Sequence, residues 1–75
     1  MSNELKYVRL ENNDFIFFSK NITHATFANL KIISAGFCYI DYKNEQVICF
    51  GESYTLHLKS RYKDSELATK IIFRS

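Results

Sequence analysis

The chain has 75 residues, of which 47% are hydrophobic, 16% aromatic and 24% charged, with two Gly and no Pro. A chain this short supports one core, so one domain over residues 1–75 is expected, and its many Phe, Tyr, Ile and Leu exclude a disordered tract. The net charge of +2 is too weak to define a partner, and no apolar run reaches the roughly 20 residues of a membrane span.

The opening Met-Ser-Asn-Glu-Leu-Lys lacks the charged-then-apolar layout of a secretory leader, which predicts a cytoplasmic location. Leu5–Leu10 and Phe15–Phe18 are β-rich runs around Glu11-Asn12-Asn13-Asp14. Asn tolerates positive φ, so Asn12-Asn13 predicts a two-residue hairpin turn pairing Leu10 with Phe15 and Val8 with Phe17. Between residues 19 and 30, Ser19 or Asn21 as a cap with Ala25 and Ala28 predicts a short helix. The β-branched Ile22, Thr23 and Thr26 argue against it.

Ile32–Tyr42 and Val47–Phe50 flank Lys43-Asn44-Glu45-Gln46 and predict a second hairpin. Pairing Tyr42 with Val47 places Cys38, Ile40, Tyr42, Val47 and Cys49 on one face. Phe37, Tyr39, Ile48 and Phe50 then share the other, so both faces are apolar. Gly51-Glu52-Ser53 reads as a bulge or turn, and Tyr54, Leu56 and Leu58 alternate as a short strand. A helix is expected from about Ser60, with Asp64 and Glu66 early, Lys70 and Arg74 late, and Leu67, Ala68, Ile71 and Ile72 at helical spacing.

The expected fold is α+β: a small antiparallel sheet of two hairpins plus a short strand, with a middle helix and a C-terminal helix on one face, in the order ββαβββα. If residues 22–30 are extended, the alternative is an all-β partly open barrel with a C-terminal helix.

Ala35-Gly36-Phe37-Cys38-Tyr39-Ile40-Asp41-Tyr42 resembles the aromatic RNA-binding strand of RRM domains and the corresponding strand of cold-shock domains. That resemblance implies base stacking on Phe37 and Tyr39, helped by the basic segment Lys59, Ser60, Arg61 and Lys63. The motif's leading cation is Ala35 here, however. Ile16-Phe17-Phe18-Ser19-Lys20-Asn21 is loosely similar to the other RRM motif, but the interval from Ile16 to Ala35 is too short for the RRM helix and strand.

Ser53 with Glu52, His24 and His57 is the set a hydrolase reading recruits, but no nucleophile elbow surrounds Ser53. Surface histidines and a turn-capping Ser53 are expected, and no enzyme activity. Cys38 and Cys49 match no zinc spacing and read as buried reduced thiols, so neither metal nor cofactor is expected. Lys59, Ser60, Arg61 and Lys63 precede the C-terminal helix and form a candidate anion site, with Ser60 as an ordinary N-cap the simpler account. Two short helices leave one sheet face uncovered. The leading reading is therefore an interaction module that homodimerises through Phe37, Tyr39, Ile48 and Phe50, with single-stranded nucleic-acid binding as the rival.

Overall fold

The computed structural model describes residues 3–74. Strands Glu4–Leu10 (β1) and Phe15–Phe18 (β2) form the first hairpin, with Arg9 opposite Phe15 and Tyr7 opposite Phe17. This register differs by one residue from the two-residue-turn expectation. Leu10 N–H donates to the Asp14 carbonyl at 2.8 Å, Asn13 N–H donates to the Leu10 carbonyl at 2.9 Å, and Asn13 takes φ 71°. The loop therefore has three residues, a tight turn closed by a left-handed residue. The odd shift exchanges faces, so Phe15 and Phe17 join Tyr7 and Arg9 instead of Val8 and Leu10.

Residues 19–30 hold only a 3-10 turn, His24–Phe27. Its cap is Thr23, whose Oγ1 accepts the Ala25 N–H at 2.9 Å; Ser19 Oγ instead accepts the Asn21 N–H. Ile32–Asp41 (β3) and Gln46–Phe50 (β4) form the second hairpin, with Tyr39 opposite Ile48 and Cys38 opposite Cys49. A four-residue loop produces this register: the Asp41 carboxylate accepts from Asn44 N–H and Nδ2, and Glu45 takes φ 52°. The pairing is two residues from the expected one, a full period, so the side chains keep their predicted faces.

The four strands lie in the order β2-β1-β3-β4, antiparallel throughout. β2 and β4 are borders, and among the described residues no barrel closes. Gly51, at φ 77°, turns the chain into a small second sheet of Glu52–Ser53 (β5) and Leu58–Lys59 (β6). The alternation Tyr54-Leu56-Leu58 is thus mostly turn and not strand. Ser53 Oγ accepts the Leu56 N–H, and His57 takes φ 56°.

The helix α1 spans Asp64–Phe73. Ser60 is not its cap, since the N-cap position is Lys63; the Ser60 N–H instead donates to the Gly51 carbonyl at 2.9 Å and ties β6 to the corner after β4. Ala68 of α1 packs on Tyr7, Cys38, Ile40 and Val47. The opposite sheet face gathers Val8, Phe18 and Ala35 under Phe27 of the 3-10 turn and under Leu56 and Leu58. The two helical segments therefore lie on opposite faces, whereas one shared face was expected. α1 also closes the β4 border: Val47 N–H donates to Thr69 Oγ1 at 2.9 Å and Cys49 N–H to Ser65 Oγ at 2.8 Å.

Candidate interaction surface

Strand alternation delivers Phe37, Tyr39, Ile48 and Phe50 to one sheet face, opposite the face covered by α1. Tyr39, Ile48 and Phe50 stand 44%, 46% and 40% exposed, large values for side chains at the centre and border of a sheet. Phe37 is only half-buried and forms the base of the patch. The Phe50 ring stacks on it at 6.0 Å, His24 meets it edge-on at 5.9 Å, and Gly51 lies against its rim. The 3-10 turn and the β5–β6 hairpin cover only the far half of this face. The first hairpin, which might have folded across the rest, lies in the plane of the same sheet.

Gly36, which heads the aromatic string, has a packing role. A Cβ there would sit 2.5 Å from the Phe50 carbonyl oxygen, so the close approach of the chain leaving β4 requires glycine.

The charges beside the patch are mixed, and on the β1–β3 side Glu4 is held to Lys20 at 3.7 Å. Glu4 is the cross-strand neighbour of Tyr39, Asp41 lies two residues along the same face, and Glu52 follows the corner. Lys6 is opposite Phe37, but its ammonium donates to the Ile22 carbonyl at 2.9 Å. Beyond Ile48, a groove of about 360 Å³ runs between β4 and α1, with Glu66, Lys70 and Arg74 along its outer wall.

The basic segment does not converge on this surface. Lys59 lies opposite Glu52, and the Arg61 N–H donates to the Asp64 carboxylate at 2.9 Å. Lys63 precedes α1 without a side-chain cap. At the start of α1, where an external anion was the candidate ligand, the chain places its own carboxylate. Asp64 is fully buried; it accepts the Tyr7 hydroxyl and pairs with Arg9 Nη1 at 3.1 Å. Arg9 Nε and Ser34 Oγ, buried on neighbouring strands, make no hydrogen bond. Sequence reasoning missed this network, since no local pattern marks it.

His24 corrects the surface-histidine expectation. It is 5% exposed, its Nε2 donates to the Gly36 carbonyl at 2.9 Å, and Phe18 meets the ring edge-on at 5.4 Å. Burial lowers its pKa, with Lys6 adding to the effect. His24 and Ser53 line one shallow cleft of about 190 Å³. Among the described residues no hydrogen bond joins them, because Ser53 Oγ is engaged by Thr55 Oγ1 and the Leu56 N–H. Exposed His57 lies on the β5–β6 turn. Among the described residues, no three His, Cys, Asp or Glu side chains converge as a metal site, and no helix is long and apolar enough to cross a membrane.

The chain matches no family model, no curated protein and no solved structure.

Proposed function

We propose that this domain is a non-enzymatic interaction module that self-associates as a two-fold dimer through Tyr39, Ile48 and Phe50, with Phe37 beneath them. The observation that carries the reading is the contiguity of three large exposed apolar side chains on a face whose other half is covered. Soluble chains seldom leave such a set in water unless something docks there. Closed two-fold pairing is the commonest way for identical chains to cover it.

Charge placement supports a copy of the chain as the occupant. A two-fold axis parallel to the strands lays β4 of one protomer over β1 and β3 of the other. Lys70 and Arg74, beyond Ile48, then approach the partner's Glu4 and Asp41. Nucleic acid is the poorer occupant, because the basic segment Lys59, Arg61 and Lys63 does not converge on the rings and Asp41 lies beside them.

Sedimentation equilibrium from micromolar to millimolar chain concentration tests the reading, with Ile48→Glu as the variant. Ile48 is exposed, so the variant folds with unchanged circular dichroism. The expected result is a two-chain particle for the native sequence and a one-chain particle for Ile48→Glu. A one-chain native particle across the whole range overturns the proposal, as does salt-dependent oligonucleotide binding that is lost in Tyr39→Ala.

A further inference from the structure

We propose that Cys38 and Cys49 form a cross-strand dithiol that closes to an intramolecular disulfide when a low-molecular-weight disulfide such as oxidised glutathione is present. The inference is independent of the dimer reading. It rests on register and hydrogen-bond pattern together. Cys38 lies directly opposite Cys49 in the β3–β4 pairing, and both are free. The side chains occupy the same face, where both join the core against Tyr7 and Ile40.

The hydrogen bonds identify the type of site. In an antiparallel pair, opposed residues alternate between those that exchange backbone bonds and those whose N–H and C=O point outward. Cys49 N–H donates to Ser65 Oγ of α1, and Val47 N–H donates to Thr69 Oγ1. Both point away from β3, so Cys38 and Cys49 form a non-hydrogen-bonded pair. Such pairs bring their Cα atoms to about 4.5 Å, inside the range of about 4.4–6.8 Å that a disulfide spans. The two strands keep their register when the sulfurs join.

The chemistry closes with that one oxidant. The Cys49 thiolate, from the less buried residue, attacks one sulfur of the small disulfide and expels the first small-molecule thiolate. The Cys38 thiolate then attacks Cys49 Sγ, forming the Cys38–Cys49 bond and releasing the second. Two protons leave the protein, and two electrons pass to the small disulfide, which becomes two thiols. Burial pushes the Cys38 thiol up to about 11 and the Cys49 thiol up to about 12, so little thiolate exists near neutrality. Ser65 and Thr69 hold α1 against this strand border. Closure is therefore slow and follows the lifting of α1. The new rung would lie between the Tyr39–Ile48 and Phe37–Phe50 pairs, behind the exposed patch.

The test uses the full reduced chain, equilibrated with mixtures of reduced and oxidised glutathione and a thiol–disulfide oxidoreductase to speed exchange. Samples are acid-quenched, alkylated, and read by intact mass and peptide mapping. The expected product in the oxidising mixtures is a single chain lighter by two hydrogens, with no alkylation and one peptide pair joining Cys38 to Cys49. Cys49→Ser should give no such species and should leave Cys38 alkylatable after unfolding. If both thiols remain alkylatable in every mixture, or if the end product is a stable glutathione adduct or an interchain disulfide, the proposal is overturned. The native-sequence measurement decides alone, so a variant that fails to fold does not obscure the result.

Discussion

Tyr7 and Asp64 lie 57 positions apart in the chain and meet in the interior, where the phenol donates its proton to the carboxylate. Burial first, and Asp64 beside it, push the Tyr7 hydroxyl far above its ordinary range, so it remains a donor into strongly alkaline solution. Arg9 completes the contact at 3.1 Å. The network ties the central strand β1 to the first turn of α1 and orients the helix on the sheet.

Asp64→Ala leaves Arg9 buried without its counter-charge, and such breaks cost about 3–5 kcal/mol. Small domains hold only about 5 kcal/mol or slightly more, so this variant should retain about 0–2 kcal/mol and unfold at the lowest urea concentrations. Arg9→Met combined with Asp64→Leu removes both charges and should lose much less. A double variant as unstable as the sum of the two singles would contradict the account.

Glu45 occupies left-handed backbone at φ 52°, in an exposed loop. Left-handed conformation costs a side-chain-bearing residue about 1–2 kcal/mol, part of which glycine returns as unfolded-state entropy. Glu45→Gly should therefore raise the denaturation midpoint by a net gain of about 0.5–1 kcal/mol. A lower midpoint would show that the Glu45 side chain has a stabilising contact of its own.

His24 gives the domain a pH dependence whose sign follows from its surroundings. Its folded pKa lies below the ordinary histidine value, chiefly through burial. The unfolded chain therefore takes up the proton first as pH falls. Stability contributed by the neutral ring is complete above the unfolded pKa and is lost as pH drops through the folded one. Thermal midpoints should decline on acidification through this window in the native sequence and stay flatter in His24→Gln. Parallel declines would place the effect elsewhere.

Thr69→Val keeps the shape of the side chain but removes the oxygen that accepts the Val47 N–H. The bare amide should lower stability by about 1–2 kcal/mol, read from chemical denaturation. An unchanged midpoint would mean that water replaces the hydroxyl there.

These features were unequally legible in the sequence. The aromatic face was readable because alternation depends only on parity: the second hairpin closed two residues from its expected register and still presented Tyr39, Ile48 and Phe50 together. The first hairpin shifted by one, since Asn13 supplied one left-handed residue where two were expected. Tyr54-Leu56-Leu58 has a strand's pattern but too few residues between Gly51 and the return at Leu58 to avoid a turn. The Arg9–Asp64 pair and the burial of His24 left no local signature, because their partners come from distant strands and from a backbone carbonyl.

The hydroxyls of Ser65 and Thr69 have a consequence for lateral growth. They occupy, along β4, bonding positions that an added strand would need, while among the described residues no strand pairs with the outer side of β2. For strand addition each molecule has one open border and one that is already occupied. Strand addition through Phe15–Phe18 consumes the open border of both participants, so edge pairing by itself stops at a pair. A chain so rich in Phe and Ile thus carries its own terminator, built from two small residues one helical turn apart.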